Sequence, residues 1–312
     1  LLYTSNPIIT NNGIENNFNL IIKNINTESE NSTVYKNNFN TSVGALAEFN
    51  SSYPLIKKTE KYQKIISPKI SLRYNPNNTK NKKKDLRPID YDNIFDLNRL
   101  SFSDTLEGGE SITFGSSYSV SNNLDKELFN ANIANVLRIK EDKNIPSSSS
   151  LGQKTSNLVS SLSLSPNEKF KLNYKFSIDE NLEDTQYQLL STDISVNNFV
   201  TTFEYLNESS SFSNDSYLYN KTTYNFNDNN QLSFKTRENK KEKITEFYNL
   251  IYEYKNDCLI AAVEYSKDYY NFQDLRPEEK LFFKLTIVPF GTTSSPSIYW
   301  WIKKLKYYLF WL

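Results

Sequence analysis

The chain has no histidine at any of its 312 positions. This excludes Ser-His-Asp and Cys-His catalysis and removes the commonest metal ligand. Two carboxylate pairs remain, Asp90 with Asp92 and Glu278 with Glu279, and such pairs can in principle transfer protons or bind a divalent cation. Carboxylates in exposed loops are far commoner than catalytic pairs. We therefore expect a protein that is not an enzyme and that carries no metal or other cofactor.

Composition and charge exclude further classes of protein. The 36 basic and 36 acidic residues balance, which gives no electrostatic case for nucleic acid as a partner. No apolar run approaches the ~20 residues of a membrane-spanning helix. The single cysteine, Cys258, cannot form an internal disulfide, so any partner lies outside this sequence. Because the chain starts at Leu1 and contains no methionine, we expect it to be a piece of a longer protein.

The aromatic content separates two interpretations of the low hydrophobic fraction, which is 38 %. A partly disordered polar protein would be poor in aromatic residues, whereas this chain has 22 Tyr and 20 Phe. Transmembrane β-barrels carry aromatic girdles, and their wet inner faces lower the average hydropathy. The composition therefore favours a barrel.

Alternation with a period of two predicts strands along most of the chain. The clearest strands lie at Ile244–Tyr254, Leu281–Ile287 and Phe170–Ile178, where apolar residues alternate with polar ones. Strands of about ten residues are long enough to cross a bilayer at a tilt. We count roughly fifteen strands, whereas bacterial single-chain barrels have an even number, so part of this barrel is expected to be missing.

The segments between the strands are of two kinds. Asn77–Lys84 is Lys-rich and is predicted to be a solvated loop, and Glu141–Gly152 is a polar, Ser-rich loop. Asp85–Gly109, by contrast, mixes charges with apolar residues such as Ile94 and Leu100 and shows no sustained period. Loops longer than ~12–15 residues in compact folds are usually functional or disordered. Since the apolar residues argue against disorder, we predict a structured loop that packs inside or across the barrel.

Several of these segments resemble the LPS-assembly protein family, LptD. The likeness lies in SPKISLRYNP at Ser67–Pro76 and in RPIDYDNIFDLNRLSFSDTLEGGESITFGSSYS at Arg87–Ser119, and the block from Asp90 to Gly109 is its most specific part. YNLIYEYKNDC at Tyr248–Cys258 and DLRPEEKLFFKLTIVPFG at Asp274–Gly291 resemble the last strands of that family. The matches follow the family's order, and the likeness is strongest over residues 67–291.

The resemblance implies a fold and a function. The fold is all-β: residues 1–291 would form the C-terminal portion of a large antiparallel transmembrane outer-membrane β-barrel, truncated at its N-terminus. The function is that of a Gram-negative outer-membrane translocon that inserts lipopolysaccharide into the outer leaflet. Its partners would be lipopolysaccharide, a lipoprotein plug similar to LptE, a periplasmic bridge protein similar to LptA, and outer-membrane lipid.

Two alternatives stay open, and the end of the chain departs from the family pattern. The alternatives are another outer-membrane β-barrel, such as a porin or a receptor, and a secreted β-rich adhesin. Residues 292–312 form an aromatic and basic tail, which could be a short interfacial helix or non-native sequence.

The resemblance also implies roles for individual residues. Cys258 matches the C-terminal cysteine site of the family, whose disulfide partner lies in an upstream periplasmic domain. The residues expected to pack the loop into the lumen are Arg87, Asp90, Tyr91, Asp92, Phe95, Arg99, Asp104, Gly108 and Gly109. The last strand is expected to have an unpaired outer edge and to form a lateral gate, and its residues are Lys280, Leu281, Phe282, Phe283, Lys284, Leu285, Thr286, Ile287, Val288 and Pro289.

Overall fold

The protein is all-β, and the strand pairings of the described residues are antiparallel. The computed structural model describes residues 1–28, 30–31, 40–79, 88–100, 105–209, 214–269, 278–288 and 291–294. Within these residues the strands are β1 (Leu2–Thr4), β2 (Ile8–Ile9), β3 (Glu15–Thr27), β4 (Asn40–Ser52), β5 (Leu55–Lys58), β6 (Tyr62–Asn75), β7 (Gly109–Asn122), β8 (Glu127–Arg138), β9 (Leu158–Asn167), β10 (Phe170–Ile178), β11 (Thr185–Val196), β12 (Phe199–Glu208), β13 (Ser216–Asn227), β14 (Asn230–Asn239), β15 (Ile244–Lys255), β16 (Leu259–Asp268), β17 (Glu278–Ile287) and β18 (Gly291–Ser294).

Helical structure is slight. Ser150–Gly152 forms a single 3-10 turn. No helix within the described residues has the length and apolar character needed to cross a membrane.

The chain divides into two compact units. Unit 1 comprises Leu1–Pro166, Asn173–Leu189 and Glu208–Asn214, and unit 2 comprises Asn167–Leu172, Leu190–Asn207 and Asp215–Leu312. In unit 1 the long strands β3, β4, β6, β7, β8 and β9 pair in that order, and the short strands β1, β2 and β5 pair with β3 or β6. In unit 2, β12 to β18 pair consecutively.

A proline in the middle of β6 marks the place where its partner changes. The N–H of Tyr53 donates to the carbonyl oxygen of Pro68 at 3.1 Å. In an antiparallel strand the N–H and C=O of one residue point to the same side, so the N–H that Pro68 lacks would face the junction between β4 and β5. β6 pairs with β4 from Lys69 onward and with β5 up to Ile66. A ladder hydrogen bond is therefore missing only where the partner strand is interrupted.

The strands of unit 1 bury their polar face and expose their apolar face. One row of cross-strand neighbours is Phe18, Phe49, Leu72, Ile112 and Leu137. Phe49 and Leu72 in this row are 39 % and 41 % exposed, whereas the alternating residue Arg73 is 4 % exposed. The arrangement is the reverse of that in a water-soluble sheet protein, whose apolar face packs on the core.

The polar face of unit 1 is covered by the described residues of two long connections. They comprise residues 76–108, between β6 and β7, and residues 139–157, between β8 and β9. Because successive strands are antiparallel, both connections leave the same end of the sheet. Apolar side chains from both connections form a cluster with residues of β8 and β9: Ile89, Ile94, Leu100, Ala134, Val136, Ile145, Leu151 and Val159. Leu106 of the first connection lies in a second cluster with Ile25 and Leu46. The Ser-rich connection is thus a loop, as predicted, but Ile145 and Leu151 anchor it in the first cluster.

The prediction that the last strand has an unpaired outer edge is wrong for the second half of β17. Residues Lys284–Ile287 of β17 pair with β18, so the outer edge is occupied there. The chain turns back at Val288, and Gly291–Ser294 then offers small and β-branched residues that suit an extended ladder. Sequence alternation did not reveal β18, because four residues are too few to display a period.

Candidate functional site

A row of polar residues crosses five strands of unit 1 on its buried face. Asn19, Glu48, Arg73, Ser111 and Arg138 are consecutive cross-strand neighbours on β3, β4, β6, β7 and β8. Arg73, for example, lies between the outward-facing Leu72 and Tyr74, and the register of the ladders puts all five residues on the same side of the sheet. The register of the ladders therefore brings two arginines and one glutamate together on the inner face.

The connection above this row supplies the complementary charges. Arg99 donates from Nε and Nη2 to the two carboxylate oxygens of Glu107 at 2.9 and 2.5 Å. The Nη1 atom of Arg138 donates to Glu107 Oε1 at 2.7 Å, and Arg73 Nη2 lies 3.9 Å from Glu107 Oε2. We call Glu48, Arg73, Arg99, Glu107 and Arg138 the buried charge cluster. None of the five is more than 6 % exposed.

Neighbouring groups supply further hydrogen bonds to the cluster. Arg99 also donates to Ser111 Oγ at 2.9 Å and to Thr113 Oγ1 at 3.0 Å. The Oε1 atom of Glu48 accepts from the side-chain amides of Asn19 and Asn50 at 2.9 and 2.7 Å, and its Oε2 lies 3.4 Å from Arg73 Nη1. Guanidinium groups suit such a site because each offers several donors in a fixed plane.

Electrostatics favour the ionised form of Glu107. Burial would raise the pKa of this carboxyl, but the charges of Arg99, Arg73 and Arg138 together with the hydrogen bonds from Arg99 outweigh it and lower the pKa from 4.5 to about 2. The carboxylate is therefore charged at every physiological pH. It contacts all three arginines.

A close contact between two backbone segments fixes the end of the loop beside the buried charge cluster. The N–H of Gly108 donates to Thr79 Oγ1 at 2.8 Å, and its carbonyl accepts from Arg138 Nη2. A Cβ at Gly108 would collide with the backbone of Asn77, Asn78 and Thr79. Gly109 follows with φ +76°, a conformation that glycine adopts without strain. This glycine pair thus allows two chain segments to touch and the chain to turn into β7.

Asp142 links the second loop to the same place. Its Oδ2 atom accepts hydrogen bonds from the backbone N–H and the hydroxyl of Thr79 and lies 3.6 Å from Arg138 Nη2. With Asp142 included, three acidic groups face three arginines, so the assembly is close to neutral.

The predicted loop residues that the structure describes have separate tasks. We call the described residues 88–100 and 105–108 the docked segment. Asp90 and Asn93 cap each other, since each side chain accepts a hydrogen bond from the backbone of the other at 3.0 Å. Tyr91 meets Phe95 edge to face with ring centroids 6.1 Å apart, and burial raises the pKa of Tyr91. Asp92 pairs with Lys175 at 2.5 Å in a much more exposed contact.

Phe95 reaches the sheet at a glycine. A Cβ added to Gly115 of β7 would lie 2.6 Å from Phe95 Cζ, so the ring occupies the space that a larger residue would fill. The ammonium of Lys69 lies 5.9 Å from the centroid of the same ring, within the range of a cation–π contact.

The remaining predicted site residues are not brought to this place. Arg87, Asp104 and Pro289 lie outside the described residues. Cys258 is an exposed, unbridged thiol in the β15–β16 turn, where its N–H donates to Asn256 Oδ1 at 3.0 Å. The described gate residues Lys280 to Ile287 form β17 and pair with β16, and Val288 follows them. The structure thus gathers the loop residues in unit 1 and leaves the gate and the thiol in unit 2.

Sequence reasoning missed the other members of the buried charge cluster and the adjoining Asp142. Glu48, Arg73, Glu107, Arg138 and Asp142 were not singled out, although Arg73 and Glu107 lie in or beside the quoted motifs. The available signal was their position, since Glu48, Arg73 and Arg138 each lie on the polar face of their strand. Their mutual register depends on turns and loops that alternation does not specify.

The carboxylate pairs considered for chemistry serve other contacts. Glu278 and Glu279 form ion pairs with Lys280 and Lys267 at 2.5 and 3.0 Å. Across the described ranges, no three His, Cys, Asp or Glu side chains lie close enough to hold a metal ion.

The geometry above falls in the part of the chain that matches a known family. The sequence profile described as "LptD: LPS transport system D" matches residues 22–237, more than half of the chain. This chain belongs to the LptD family. The predicted family membership is thereby confirmed, and every member of the buried charge cluster lies inside the matched range. The LptD family is a transport family by description. The segments Tyr248–Cys258 and Asp274–Gly291 lie beyond the matched range.

Comparison with other known proteins adds little to the LptD match. No curated protein matches the chain. Similar solved structures include a mutant porin of Rhodopseudomonas blastica, with a TM-score of 0.38 and 9% identity over 90% of this chain and 92% of the porin. A triple mutant of that porin gives 0.36 and 8% over 91% and 98%. A structure titled "Asymmetric conductivity of engineered proteins" gives 0.37 and 9% over 94% and 97%. Similarities of this size do not establish a shared function.

Proposed function

We propose that this chain is the C-terminal part of an outer-membrane β-barrel that inserts lipopolysaccharide into the outer leaflet. Membership of a family described by LPS transport supports the substrate. The barrel, its location and the way it works are our proposal.

One observation carries the membrane assignment: the sheet faces are inverted. Apolar side chains such as Phe114 and Ile133 are 45 % and 42 % exposed, while Glu48 and Thr113 on the other face are 1 % and 0 % exposed. Large contiguous apolar surfaces are rare on soluble monomers and mark contact with lipid or protein. Strands that alternate apolar-out with polar-in are those of a transmembrane barrel, which satisfies its backbone hydrogen bonds without an exposed edge.

The docked segment would then act as an internal plug. It lies on the polar face of unit 1, where the ion pairs of the buried charge cluster offset the cost of removing these charges from water. The proposed work is the transfer of an amphiphile between solvents, with no bond made or broken. Its saccharide would travel through the polar interior while its acyl chains leave sideways into lipid.

The lateral exit is proposed at β17. Opening there would separate one strand pair, and the half of β17 that pairs with β18 is held by four residues only. Each exposed N–H or C=O in lipid costs several kcal/mol, so an opening confined to few residues is favoured.

The family also motivates partners for this chain. A lipoprotein plug and a periplasmic bridge protein are proposed from membership alone. Cys258 is proposed to be oxidised in the mature protein, with its partner in an upstream periplasmic domain, because its turn is short and its thiol is exposed and the periplasm is oxidising. A non-reducing gel of the full-length protein with and without Cys258→Ser tests this. Equal mobility of the two would contradict a disulfide.

Depletion of the full-length protein in its own cells tests the main proposal. We expect newly made lipopolysaccharide to accumulate in the inner membrane while its surface level falls. If lipopolysaccharide still reaches the surface and only the uptake of small solutes falls, the protein is a porin. If the protein extracts without detergent and shows no heat-dependent mobility, it is a secreted adhesin and the proposal fails.

Proteolysis on intact cells tests the plug. The docked segment should resist cleavage while the barrel is folded, because Ile94 and Leu100 are buried. Rapid cleavage throughout residues 90–100 would show that it is a free surface loop.

A further inference from the structure

Two lysines face outward at the end of the unit 1 sheet that lies opposite to the long connections. Lys57 of β5 and Lys64 of β6 are direct cross-strand neighbours. On β6, Lys64 points to the same side as Ile66 and Leu72, which are 44 % and 41 % exposed, so the lysine pair lies on the apolar face. Both lysines are exposed, and within the residues that the structure describes neither of them forms an ion pair.

Protection of a sheet edge does not account for this pair. Lysine on an edge strand can deter pairing with a second chain, and this would explain Lys57 on the short strand β5. Lys64, however, lies on β6, which pairs with β5 on one side and with β7 on the other. Like charges directly opposite each other destabilise a strand pair. An anion held between the two ammonium groups would replace that repulsion by attraction.

The position of Lys64 coincides with the end of an apolar band. The outward residues of β6 on the side of the long connections are Ile66, Pro68, Ile70, Leu72 and Tyr74. At about 3.4 Å per residue, the stretch from Ile66 to Tyr74 is roughly 27 Å long. Tilted by about 35–45°, it covers roughly 19–22 Å of membrane thickness, close to the apolar band of about 25 Å in transmembrane barrels. The ammonium groups would therefore lie at the depth of the lipid headgroups.

Apolar side chains next to the pair complete an amphiphilic surface. Leu55, Ile66 and Tyr118 form the neighbouring outward row, and Leu55 is 45 % exposed. Val120 lies beside Lys64 on β7. Lysine side chains can lie along apolar surface while their charged ends reach the polar layer. A ligand with an anionic head and an apolar tail would use both parts of this surface, whereas a free anion would use the charges alone.

The lengths of the connections indicate which leaflet the pair faces. The turns at this end of the sheet are short, residues 59–61 between β5 and β6 and residues 123–126 between β7 and β8, and the connections at the other end are long. Outer-membrane barrels have short periplasmic turns and longer extracellular loops. The pair would thus face the periplasmic leaflet, whose lipids are phospholipids. Residues 55–66 carry four lysines and one glutamate, and basic clusters at a membrane surface attract anionic lipids.

We propose that Lys57 and Lys64 bind the phosphate of an anionic phospholipid in the periplasmic leaflet, with the acyl chains of this lipid along Leu55 and Ile66. The inference rests on the proposed function for the barrel and for its orientation in the membrane. It adds a lipid site that the transport proposal does not include.

Lipid binding to the full-length protein in a neutral detergent tests the inference. The probes are dioleoyl phosphatidylglycerol, whose headgroup has a net negative charge, and dioleoyl phosphatidylcholine, which has the same acyl chains and no net charge. Affinities are measured by titration with native mass spectrometry. The variant Lys57→Gln/Lys64→Gln removes both charges, and Lys57→Arg/Lys64→Arg keeps them.

A second lysine pair provides the matched control. Lys221 of β13 and Lys235 of β14 are also direct cross-strand neighbours. Leu218 and Phe234, on the other side of these strands, are 37 % and 39 % exposed, so this pair lies on the polar face of unit 2. Lys221→Gln/Lys235→Gln therefore removes the same charge at a place without adjoining apolar surface.

We expect wild type to bind phosphatidylglycerol more tightly than phosphatidylcholine. Lys57→Gln/Lys64→Gln should weaken the binding of phosphatidylglycerol by about tenfold or more and leave that of phosphatidylcholine unchanged. The arginine variant and the control pair should bind both lipids as wild type does. Substitution of exposed lysines changes folding little, and an unchanged heat-dependent mobility of each variant verifies this.

Four results would overturn the inference. The first is equal affinity of wild type and Lys57→Gln/Lys64→Gln for phosphatidylglycerol, and the second is an equal loss in the control pair. Displacement of phosphatidylglycerol by equimolar inorganic phosphate would indicate a site for free anions. Lipopolysaccharide that binds more tightly than phosphatidylglycerol, and loses this binding in Lys57→Gln/Lys64→Gln, would assign the pair to the transported molecule.

The depletion experiment separates this inference from the proposed function. If depletion blocks lipopolysaccharide export and Lys57→Gln/Lys64→Gln binds phosphatidylglycerol normally, the lipid site alone is wrong. If depletion leaves export intact and phosphatidylglycerol binding still depends on the lysine pair, the transport function is wrong while the lipid site stands.

Discussion

The two units treat the polar face of their strands in different ways. Every hydrophobic side chain buried among the described residues belongs to unit 1, as does the buried charge cluster. In unit 2 the charged side chains pair across neighbouring strands and stay partly exposed. Arg237 and Glu246, for example, lie 2.8 Å apart with side chains 34 % and 25 % exposed. The same strand alternation thus supports a packed interior in one unit and a wet face in the other.

The difference lies in the connections and not in the strands. Unit 1 has the long connections 76–108 and 139–157, whereas β13–β14 and β14–β15 in unit 2 are joined by residues 228–229 and 240–243. A covered arginine loses its hydration and must find fixed partners, whereas a partly exposed one keeps water. Covering by loops therefore converts an ordinary polar strand face into a site where single charges have large effects.

Removal of the Glu107 carboxylate should have the largest effect on the packed interior of unit 1. Glu107→Gln leaves Arg73, Arg99 and Arg138 buried with too little negative charge, and such a loss typically costs about 3–5 kcal/mol. We expect the free energy of local opening of residues 88–100, measured by hydrogen exchange in detergent, to fall by about that amount.

Glu246→Gln in unit 2 is the matched control. It removes one partner of the more exposed pair with Arg237 and should change local stability by about 0.2–1 kcal/mol. Equal effects of the two substitutions would show that burial of the cluster does not govern docking.

A backbone contact should give the next largest effect. In Gly108→Ala the new Cβ would collide with the main chain of Asn77–Thr79, which cannot rotate away as a side chain can. We expect a loss above about 1 kcal/mol, detected as faster proteolysis of the docked segment. Gly115→Ala meets the Phe95 ring at 2.6 Å, which can shift, so its loss should be smaller. A larger loss for Gly115→Ala would place the critical contact at Phe95.

The sequence predicted the strands well and the buried charge cluster poorly, for a physical reason. Alternation at Phe170–Ile178 and Ile244–Tyr254 is a local property, and the structure has β10 and β15 at those places. The apolar residues of Asp85–Gly109 also indicated a structured loop, and Ile89, Ile94 and Leu100 are buried. The members of the buried charge cluster, however, come from β4, β6, β8 and the docked segment, and Asp142 joins them from the second connection. A single sequence does not encode register directly, so those contacts could not be listed in advance.

Acid should open the same region gradually. The pKa of Glu107 is lower in the folded protein than its ordinary value of 4.5, so its ionisation stabilises docking above pH 4.5 and this contribution is lost as the pH falls towards about 2. We expect hydrogen exchange of residues 88–100, corrected for its intrinsic pH dependence, to rise over that window. Glu107→Gln should abolish the pH dependence, and its persistence would assign the transition to another group.

The exposed ion pair of the docked segment should give the smallest effect. It tests whether an ion pair in unit 1 has a large effect on local stability even when it is exposed. Asp92 and Lys175 lie 2.5 Å apart, yet their side chains remain 56 % and 39 % exposed. Water therefore replaces the lost partner in Asp92→Asn, and the change in local stability should stay within about 1 kcal/mol, as for the pairs of unit 2. Hydrogen exchange of residues 88–100 in Asp92→Asn and Lys175→Gln measures it. A loss of local stability as large as that of Glu107→Gln would mean that every ion pair of the docked segment contributes equally. A small loss would mean that desolvation of the charges causes the difference between the two units.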